Sequence, residues 1–158
     1  MARARYTIRT ATRRDIPELV RQRRLMFEAM GEGQIEDRAR ADRDYARWVR
    51  TQMAQHRLVA FLVARTTSAG GIVAGGTVWL QERQPRPGFA GGGVPYLMSM
   101  YTDPRCRRQG LASLIVDAAV AWCRSQGHTR LSLHAAPAGR SLYRALGWKR
   151  TQEYSRVL

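Results

Sequence analysis

The sequence predicts one α/β domain of the α+β type, built on a mixed sheet. Three observations predict it. The 158 residues are the length of a single ordinary domain, and the predicted segments follow the order β-α-α-β-β-β-α-β-α-β. One central strand also leads directly into the most regular amphipathic helix. We see no repeat and no composition break, so we expect residues 1–158 to form one domain.

The first third of the chain predicts a strand and two helices. Alternation over Tyr6–Thr10 is typical of an edge strand. Thr12 and Asp15 have the spacing of a capping box, so a helix begins there and ends near Gly31 and Gly33. A second helix is predicted over residues 37–55. Its exposed face alternates arginines with aspartates, which favours a solvated surface with helical ion pairs over a nucleic-acid stripe.

The middle of the chain predicts three strands. Residues 58–65 and 72–80 are β-rich and are separated by a hairpin turn. Residues 84–93 are rich in proline and glycine, which favours a loose hairpin loop over a lid. Residues 94–102 lack strict polar alternation, so we expect a central strand covered on both faces.

The last third predicts the main helix and a shorter α/β tail. Apolar residues recur at helical spacing after Gly110, and Gly127 ends that helix. A short strand is predicted over residues 130–134, a short helix over residues 138–146, and an extended segment from Trp148 onward.

The charge is strongly positive, at +15, and is carried by arginine, because Lys149 is the only lysine among 27 basic residues. Such an excess suggests an anionic partner, although a GC-rich genome also produces it. Residues 104–158 hold ten basic and two acidic residues. The chemistry is therefore expected in this last third.

Several classes of protein are disfavoured. Cys106 and Cys123 form no CxxC pair and lie beside no histidine at ligand spacing, so neither a zinc site nor a disulfide framework is expected. No apolar run approaches the roughly 18 residues of a membrane span, and no apolar signal core follows the start. We expect a cytoplasmic protein without a metal.

One segment predicts an anion site. Residues 102–112 run from the central strand, across a basic loop, into the start of the main helix. The first N–H groups of a helix lack intrahelical partners, and the helix dipole adds positive charge there. Arg105, Arg107 and Arg108 add forked donors suited to phosphate. The segment matches neither a Walker loop nor a GxGxxG motif.

The same residues resemble the GNAT N-acetyltransferase superfamily. Residues 107–112 fit the pattern [QR]-x-x-G-x-[GA], and residues 139–148 resemble the family block A-x-x-L-Y-x-x-x-G-F. Both lie in the expected order, and the start of the chain is also similar. The resemblance implies a sheet of about six to seven strands flanked by about four helices, with central strands splayed to admit acetyl-CoA.

The resemblance also implies roles for residues. The loop would hold the acetyl-CoA pyrophosphate by its backbone N–H groups, and the preceding strand would pair with the pantetheine arm. The implied cofactor-binding residues are Met100, Tyr101, Thr102, Arg107, Arg108, Gln109, Gly110, Leu111, Ala112 and Ser113. Tyr143 is implied to be the general acid that protonates the CoA thiolate. Ala136 departs from the family, which often has asparagine there, and Gly139 stands where alanine is usual.

The general base is not identified by the sequence, because residues 96–102 contain no carboxylate. The remaining candidates are Glu28, Glu32, Glu82 and His134, each of which also fits a surface or structural role. A water chain, or an amine that binds already neutral, would replace a base. A covalent acetyl-cysteine is rejected, since neither cysteine has a histidine partner.

The resemblance implies acetyl transfer to a primary amine of a small molecule or peptide, by direct attack in a ternary complex. A nucleic-acid partner is not favoured, because no RNA-binding motif or aromatic platform is present. An acetyltransferase acting on tRNA or a ribosomal protein, a non-catalytic acyl-CoA sensor and a homodimer stay open.

Overall fold

The structure, a computed structural model, describes residues 5–32, 37–67, 70–152 and 155–157. Its five strands are β1 (Tyr6–Thr10), β2 (Leu58–Arg65), β3 (Ile72–Arg83), β4 (Gly92–Thr102) and β5 (Ser132–Leu133). Its four helices are α1 (Ile16–Met30), α2 (Arg38–Ala54), α3 (Leu111–Ser125) and α4 (Arg140–Ala145). Short 3-10 turns precede α1, α3 and α4. The predicted mixed α/β fold is confirmed.

The strands lie in the sheet in chain order, from β1 to β5. The first four are antiparallel neighbours. Hairpin loops join β2 to β3 and β3 to β4, whereas α1 and α2 lie between β1 and β2. Strand β5 is parallel to β4, since α3 crosses over between them. Strand β4 is therefore an interior strand covered on both faces, as predicted, with α1 on one face and α3 on the other, although β3 is the middle strand of the five.

Two apolar clusters fill the two faces of the sheet. The α3 side is centred on Leu97, Leu111 and Ile115, each at most 2% exposed. The other side joins α1 and α2 to β2 through residues such as Val49 and Leu62, both fully buried. Burial of such side chains stabilises the fold by about 1.5–3 kcal/mol each.

The first helix begins where the sequence predicts. The Thr12 hydroxyl accepts a hydrogen bond from the Arg14 N–H, and the Asp15 carboxylate accepts one from the Thr12 N–H at 2.7 Å. Gly31 ends this helix in the left-handed region, with φ of 71°. The other predicted stop, Gly33, lies outside the described residues.

The loop after β3 is a hairpin loop, as the sequence favoured. Pairing of β3 with β4 continues to Arg83 and Gly92, and Arg86 and Phe89 form one further antiparallel bridge inside the loop. Both strands are thus longer than predicted by two or three residues, because cross-strand pairing extends into the glycine-rich segment.

Two segments near the end of the sequence form less β-structure than predicted. The strand expected over residues 130–134 covers only Ser132 and Leu133, and the segment from Trp148 onward forms no strand among the described residues. The sheet described here accordingly has five strands rather than six or seven. β-propensity alone overstates a strand where no neighbouring backbone lies within pairing distance.

No helix among the described residues is both long and apolar enough to cross a membrane.

Candidate active site

The connection from β4 to α3 forms a compact basic turn. The Asp103 carboxylate accepts a hydrogen bond from the Arg105 N–H at 2.9 Å, and the Asp103 carbonyl accepts one from the Cys106 N–H at 2.8 Å. Gly110 then takes the left-handed conformation, with φ of 78°, directly before the helix. A side chain at Gly110 would meet no atom within 4 Å. The turn therefore opens onto free space.

The first turn of α3 leaves backbone donors free. Its first helical hydrogen bond runs from the Leu114 N–H to the Gly110 carbonyl, at 3.1 Å. The N–H groups of Leu111, Ala112 and Ser113 consequently have no carbonyl partner in the helix. With the helix dipole and the exposed side chains of Arg107 and Arg108, these donors make an anion-binding cradle.

Two contacts from other strands hold this turn, and sequence reasoning missed both. The Tyr6 hydroxyl on β1 donates a hydrogen bond to Gln109 Oε1 at 2.7 Å. An Arg65 guanidinium nitrogen on β2 lies 3.1 Å from Cys106 Sγ. The alternation of β1 signalled that Tyr6 points inward, but its partner lies 103 positions away. Only the tertiary fold brings the two together.

Beside this turn, the last residues of β4 pair with β3 on one side but have no strand partner on the β5 side, and we call this the unpaired stretch. The pairing of β4 with β5 is limited to Tyr96 and Leu97. The register with β3 shifts between Gly75 and Thr77, and Ser99 on β4 has a φ of 54°. Beyond this irregularity Met100, Tyr101 and Thr102 extend past the end of β5, so the two central strands separate here as the resemblance implied.

These free backbone groups fit a pantetheine arm. The edge of β4 over residues 100–102 can pair with an amide-bearing chain, as an added strand would. The anion cradle of residues 107–113 follows immediately along the chain. The two features together suit a ligand that joins a pyrophosphate to an amide-containing arm, which is the chemical make-up of acetyl-CoA.

Tyr143 lies on α4, against the same apolar cluster that contains Leu97 and Leu111. Its ring meets Trp148 edge-on, with centroids 5.7 Å apart and planes at 64°. Burial raises the pKa of the Tyr143 phenol above its ordinary value. This phenol therefore stays protonated at neutral pH.

The structure shows what surrounds Gly139 and Ala136, the two residues that depart from the family motif. Gly139 lies directly under Tyr143, because a Cβ at Gly139 would lie 3.1 Å from the Tyr143 ring. The glycine thus lets the ring lie close to the backbone. Ala136 is exposed, and its carbonyl accepts a hydrogen bond from the Gly139 N–H at 2.9 Å.

The four base candidates are not brought together. Glu28 is 3.1 Å from Arg38 on the protein surface, and Glu82 lies 3.7 Å from Arg57. Glu32 is exposed after α1, and His134 is exposed after β5. His134 alone follows the strand that borders the opening in β4. This geometry assigns none of the four as the general base.

Both cysteines are buried. Burial raises the pKa of the Cys123 thiol to about 11, so this thiol is not ionised at neutral pH. Cys106 is fully buried beneath the basic turn. Neither environment suits a nucleophile, in agreement with the rejection of an acetyl-cysteine.

The fold and this site define an acyl-CoA-binding α/β protein, and comparison gives its family. The model of the acetyltransferase (GNAT) family matches residues 23–148. The chain therefore belongs to the acetyltransferase (GNAT) family, whose members are N-acetyltransferases with acetyl-CoA as the acetyl donor. A comparison with curated protein sequences gives no significant match.

Solved structures show the same fold. A predicted acetyltransferase from Clostridium acetobutylicum, crystallised with acetyl-CoA, has a TM-score of 0.83 at 24% identity and covers 97% of this chain and 96% of its own. A GCN5-related N-acetyltransferase from Ralstonia eutropha JMP134 has a TM-score of 0.83 at 23% identity, with 97% and 98% covered. An aminoglycoside 6'-N-acetyltransferase from Acinetobacter baumannii has a TM-score of 0.71 at 16% identity, with 97% of each chain covered.

Proposed function

We propose that residues 1–158 form one acetyltransferase domain that moves the acetyl group of acetyl-CoA onto a primary amine by direct attack in a ternary complex. The observation that carries this proposal is the adjacency of two features. The unpaired stretch of β4 ends at Thr102, and the N–H cradle at the start of α3 follows within the same turn.

Donor binding is assigned to backbone groups. The N–H groups of residues 107–113 hold the pyrophosphate, and the side chains of Arg107 and Arg108 add positive charge. The backbone of residues 100–102 pairs with the pantetheine arm. Tyr6 supports the cradle through its hydrogen bond to Gln109.

The chemical step needs one new bond and one broken bond. The amine nitrogen attacks the thioester carbonyl carbon, a strand N–H stabilises the negative charge on the carbonyl oxygen, and the carbon–sulfur bond breaks. Tyr143 donates its phenolic proton to the departing thiolate. The attacking nitrogen, which becomes positively charged, releases one proton to water, and Tyr143 recovers a proton from water. The products are the acetylated amine and CoA.

The proton of the attacking amine is assigned to water. The chain has no carboxylate on residues 96–102, and Glu28 and Glu82 are engaged with arginines. We therefore propose that the ammonium loses its proton to solvent before attack. The rate then rises with pH until the acceptor amine is neutral.

Binding of acetyl-CoA tests the donor site directly. In Gly110→Asp, a carboxylate replaces hydrogen at the mouth of the cradle and the left-handed backbone is strained by about 1–2 kcal/mol. We expect the thermal stabilisation by micromolar acetyl-CoA to disappear.

Gly127→Asp is the matched control. Gly127 has a φ of 79°, open space around its Cα and a position at the other end of α3. It carries the same strain and the same charge, and it should keep acetyl-CoA binding. Equal loss in both variants would contradict the proposed donor site, while binding without CoA release from any amine would indicate a sensor.

A further inference from the structure

The α1 side of β4, on which we place the acceptor, holds an arginine with no carboxylate partner among the described residues. Arg23, half-buried on α1, has its guanidinium carbon 4.7 Å from the Phe27 ring centroid and 4.4 Å from that of Tyr45. Among the described residues it forms no ion pair. Because aromatic rings cover the flat face of a guanidinium, the N–H groups at its edge remain available to donate hydrogen bonds.

Both acids of α1, and Asp42 on α2, are already engaged. Glu18 pairs with Arg21 at 2.7 Å, Glu28 with Arg38 at 3.1 Å, and Asp42 with Arg24 at 2.9 Å. Arg23 thus differs from Arg21 and Arg24 of the same helix, which are both paired. It lies against two aromatic rings, and no described carboxylate neutralises its charge.

A chain of contacts places Arg23 beside the proposed reaction centre. Tyr45 is 7% exposed, and its hydroxyl lies beside the side chains of Ser99 and Thr77, with which it interacts. Ser99 marks the irregularity of β4 where the unpaired stretch begins. Ser99 lies three residues before Thr102, which is about 10 Å at the rise of a strand. In the proposed complex the pantetheine arm spans this distance and brings the thioester near Ser99. The Tyr45 ring therefore lies between Arg23 and Ser99, the strand position at which we place the acetyl group.

From these contacts we propose that Arg23 binds a carboxylate of the acceptor, so that the acceptor is an amino acid or a similar amine with a neighbouring carboxylate. This inference rests on the proposed function. A carboxylate matches the fork of a guanidinium, and such pairs have strong, oriented hydrogen bonds. The carboxylate would fix the position of the amine relative to Ser99.

The same charges disfavour a polycationic acceptor. An aminoglycoside needs acidic groups to match its ammonium groups, whereas the described acids of α1 and α2 nearest to Arg23 are paired with arginines.

A matched substrate panel tests the proposal. CoA release is measured with the proteinogenic L-amino acids, with their carboxamides, with phosphoethanolamine and with kanamycin. We expect kcat/KM for the preferred amino acid to exceed that of its carboxamide at least about tenfold, the value of one charged hydrogen-bonded pair. A carboxamide lowers the basicity of the neighbouring amine, so this preference cannot arise from amine protonation.

Arg23→Met keeps the aliphatic packing and removes the donors. We expect it to raise KM for the amino acid about tenfold or more, to change kcat little, and to leave acetyl-CoA binding and the melting temperature near those of the wild type. Arg23→Lys should restore part of the preference. The control is Arg24→Met, which removes an arginine paired with Asp42 and should leave the preference intact.

Failure of this inference is separable from failure of the proposed function. Preference for the carboxamide, for phosphoethanolamine or for kanamycin overturns the carboxylate assignment, as does a preference that survives in Arg23→Met. Intact acetyl-CoA binding without turnover of any amino acid overturns it as well. Loss of acetyl-CoA binding by the wild-type protein would instead refute the donor site.

Discussion

Two properties of Tyr143 matter for the proposed chemistry, namely the fixed position of its ring and the raised pKa of its phenol. Its ring is fixed between Trp148 and the backbone of Gly139, so the hydroxyl has little freedom to move. Burial raises the pKa of the phenol, so the proton is retained until a base as strong as a thiolate meets it. A residue with these two properties suits a general acid.

Tyr143→Phe removes the proton and keeps the ring. We expect kcat to fall roughly a hundredfold, which is the low end for loss of a general acid, and the dissociation constant of acetyl-CoA to change little. Steady-state CoA release and calorimetric titration with acetyl-CoA measure the two quantities. An unchanged kcat would show that the leaving thiolate takes its proton from elsewhere.

The first helix depends on its start. The Asp15 carboxylate accepts hydrogen bonds from the Thr12 N–H and from both terminal guanidinium nitrogens of Arg9, at 2.7–2.8 Å. This arrangement ties β1 to α1, which in turn positions Arg23 and the α1 layer over β4. Because the hydrogen bonds from Arg9 and Thr12 favour the charged form, they hold the pKa of Asp15 well below its usual range.

The lowered pKa of Asp15 makes stability depend on pH in a defined direction. The stabilisation is complete above the unfolded pKa of about 4, and it is lost as the pH falls toward the lower folded value. Asp15→Asn should lower the free energy of unfolding at pH 7 by about 1 kcal/mol and flatten its decrease below pH 4. Urea denaturation at several pH values measures both effects.

Asp44→Asn is the control for that experiment. Asp44 is 55% exposed on α2 and pairs only with neighbouring arginines of the same helix. Its replacement should leave the acid dependence unchanged. Equal flattening in both variants would show that general charge, rather than the helix start, causes it.

On the scale of the whole molecule, the chain carries a net charge of +15. The residues that line a groove between α1 and α2 include six arginines and one aspartate, and none of them belongs to β4. Positive charge is therefore not confined to the cradle that we propose for the pyrophosphate. The positive potential attracts any anionic ligand, and at 0.1 M salt it is largely screened beyond about 10 Å.

Acetyl-CoA affinity should accordingly fall as salt rises. We expect the dissociation constant to increase several-fold between 50 and 500 mM NaCl, since the ligand carries phosphate groups. The double variant Arg107→Gln/Arg108→Gln should show a smaller dependence. Arg40→Gln, which removes an 80% exposed arginine of α2, should keep the wild-type slope. A dissociation constant that is independent of salt would contradict an electrostatic share in donor binding.

The sequence by itself determined the local elements and the donor loop. The capping box at Thr12, the helix start at Gly110 and the strand over residues 58–65 were confirmed because each depends on neighbours in the chain. The anion cradle was also predictable, since free N–H groups are a property of any helix start.

The tertiary structure alone decided what lies around that loop. The bond from Tyr6 to Gln109, the separation of β4 from β5 past Leu97, and the unpaired Arg23 beside Tyr45 and Ser99 all join residues distant in sequence. Periodicity reports which face of an element is apolar, but it does not report which element packs there. The proposed donor site could therefore be predicted from the chain, whereas the surroundings from which we infer an acceptor site required the fold.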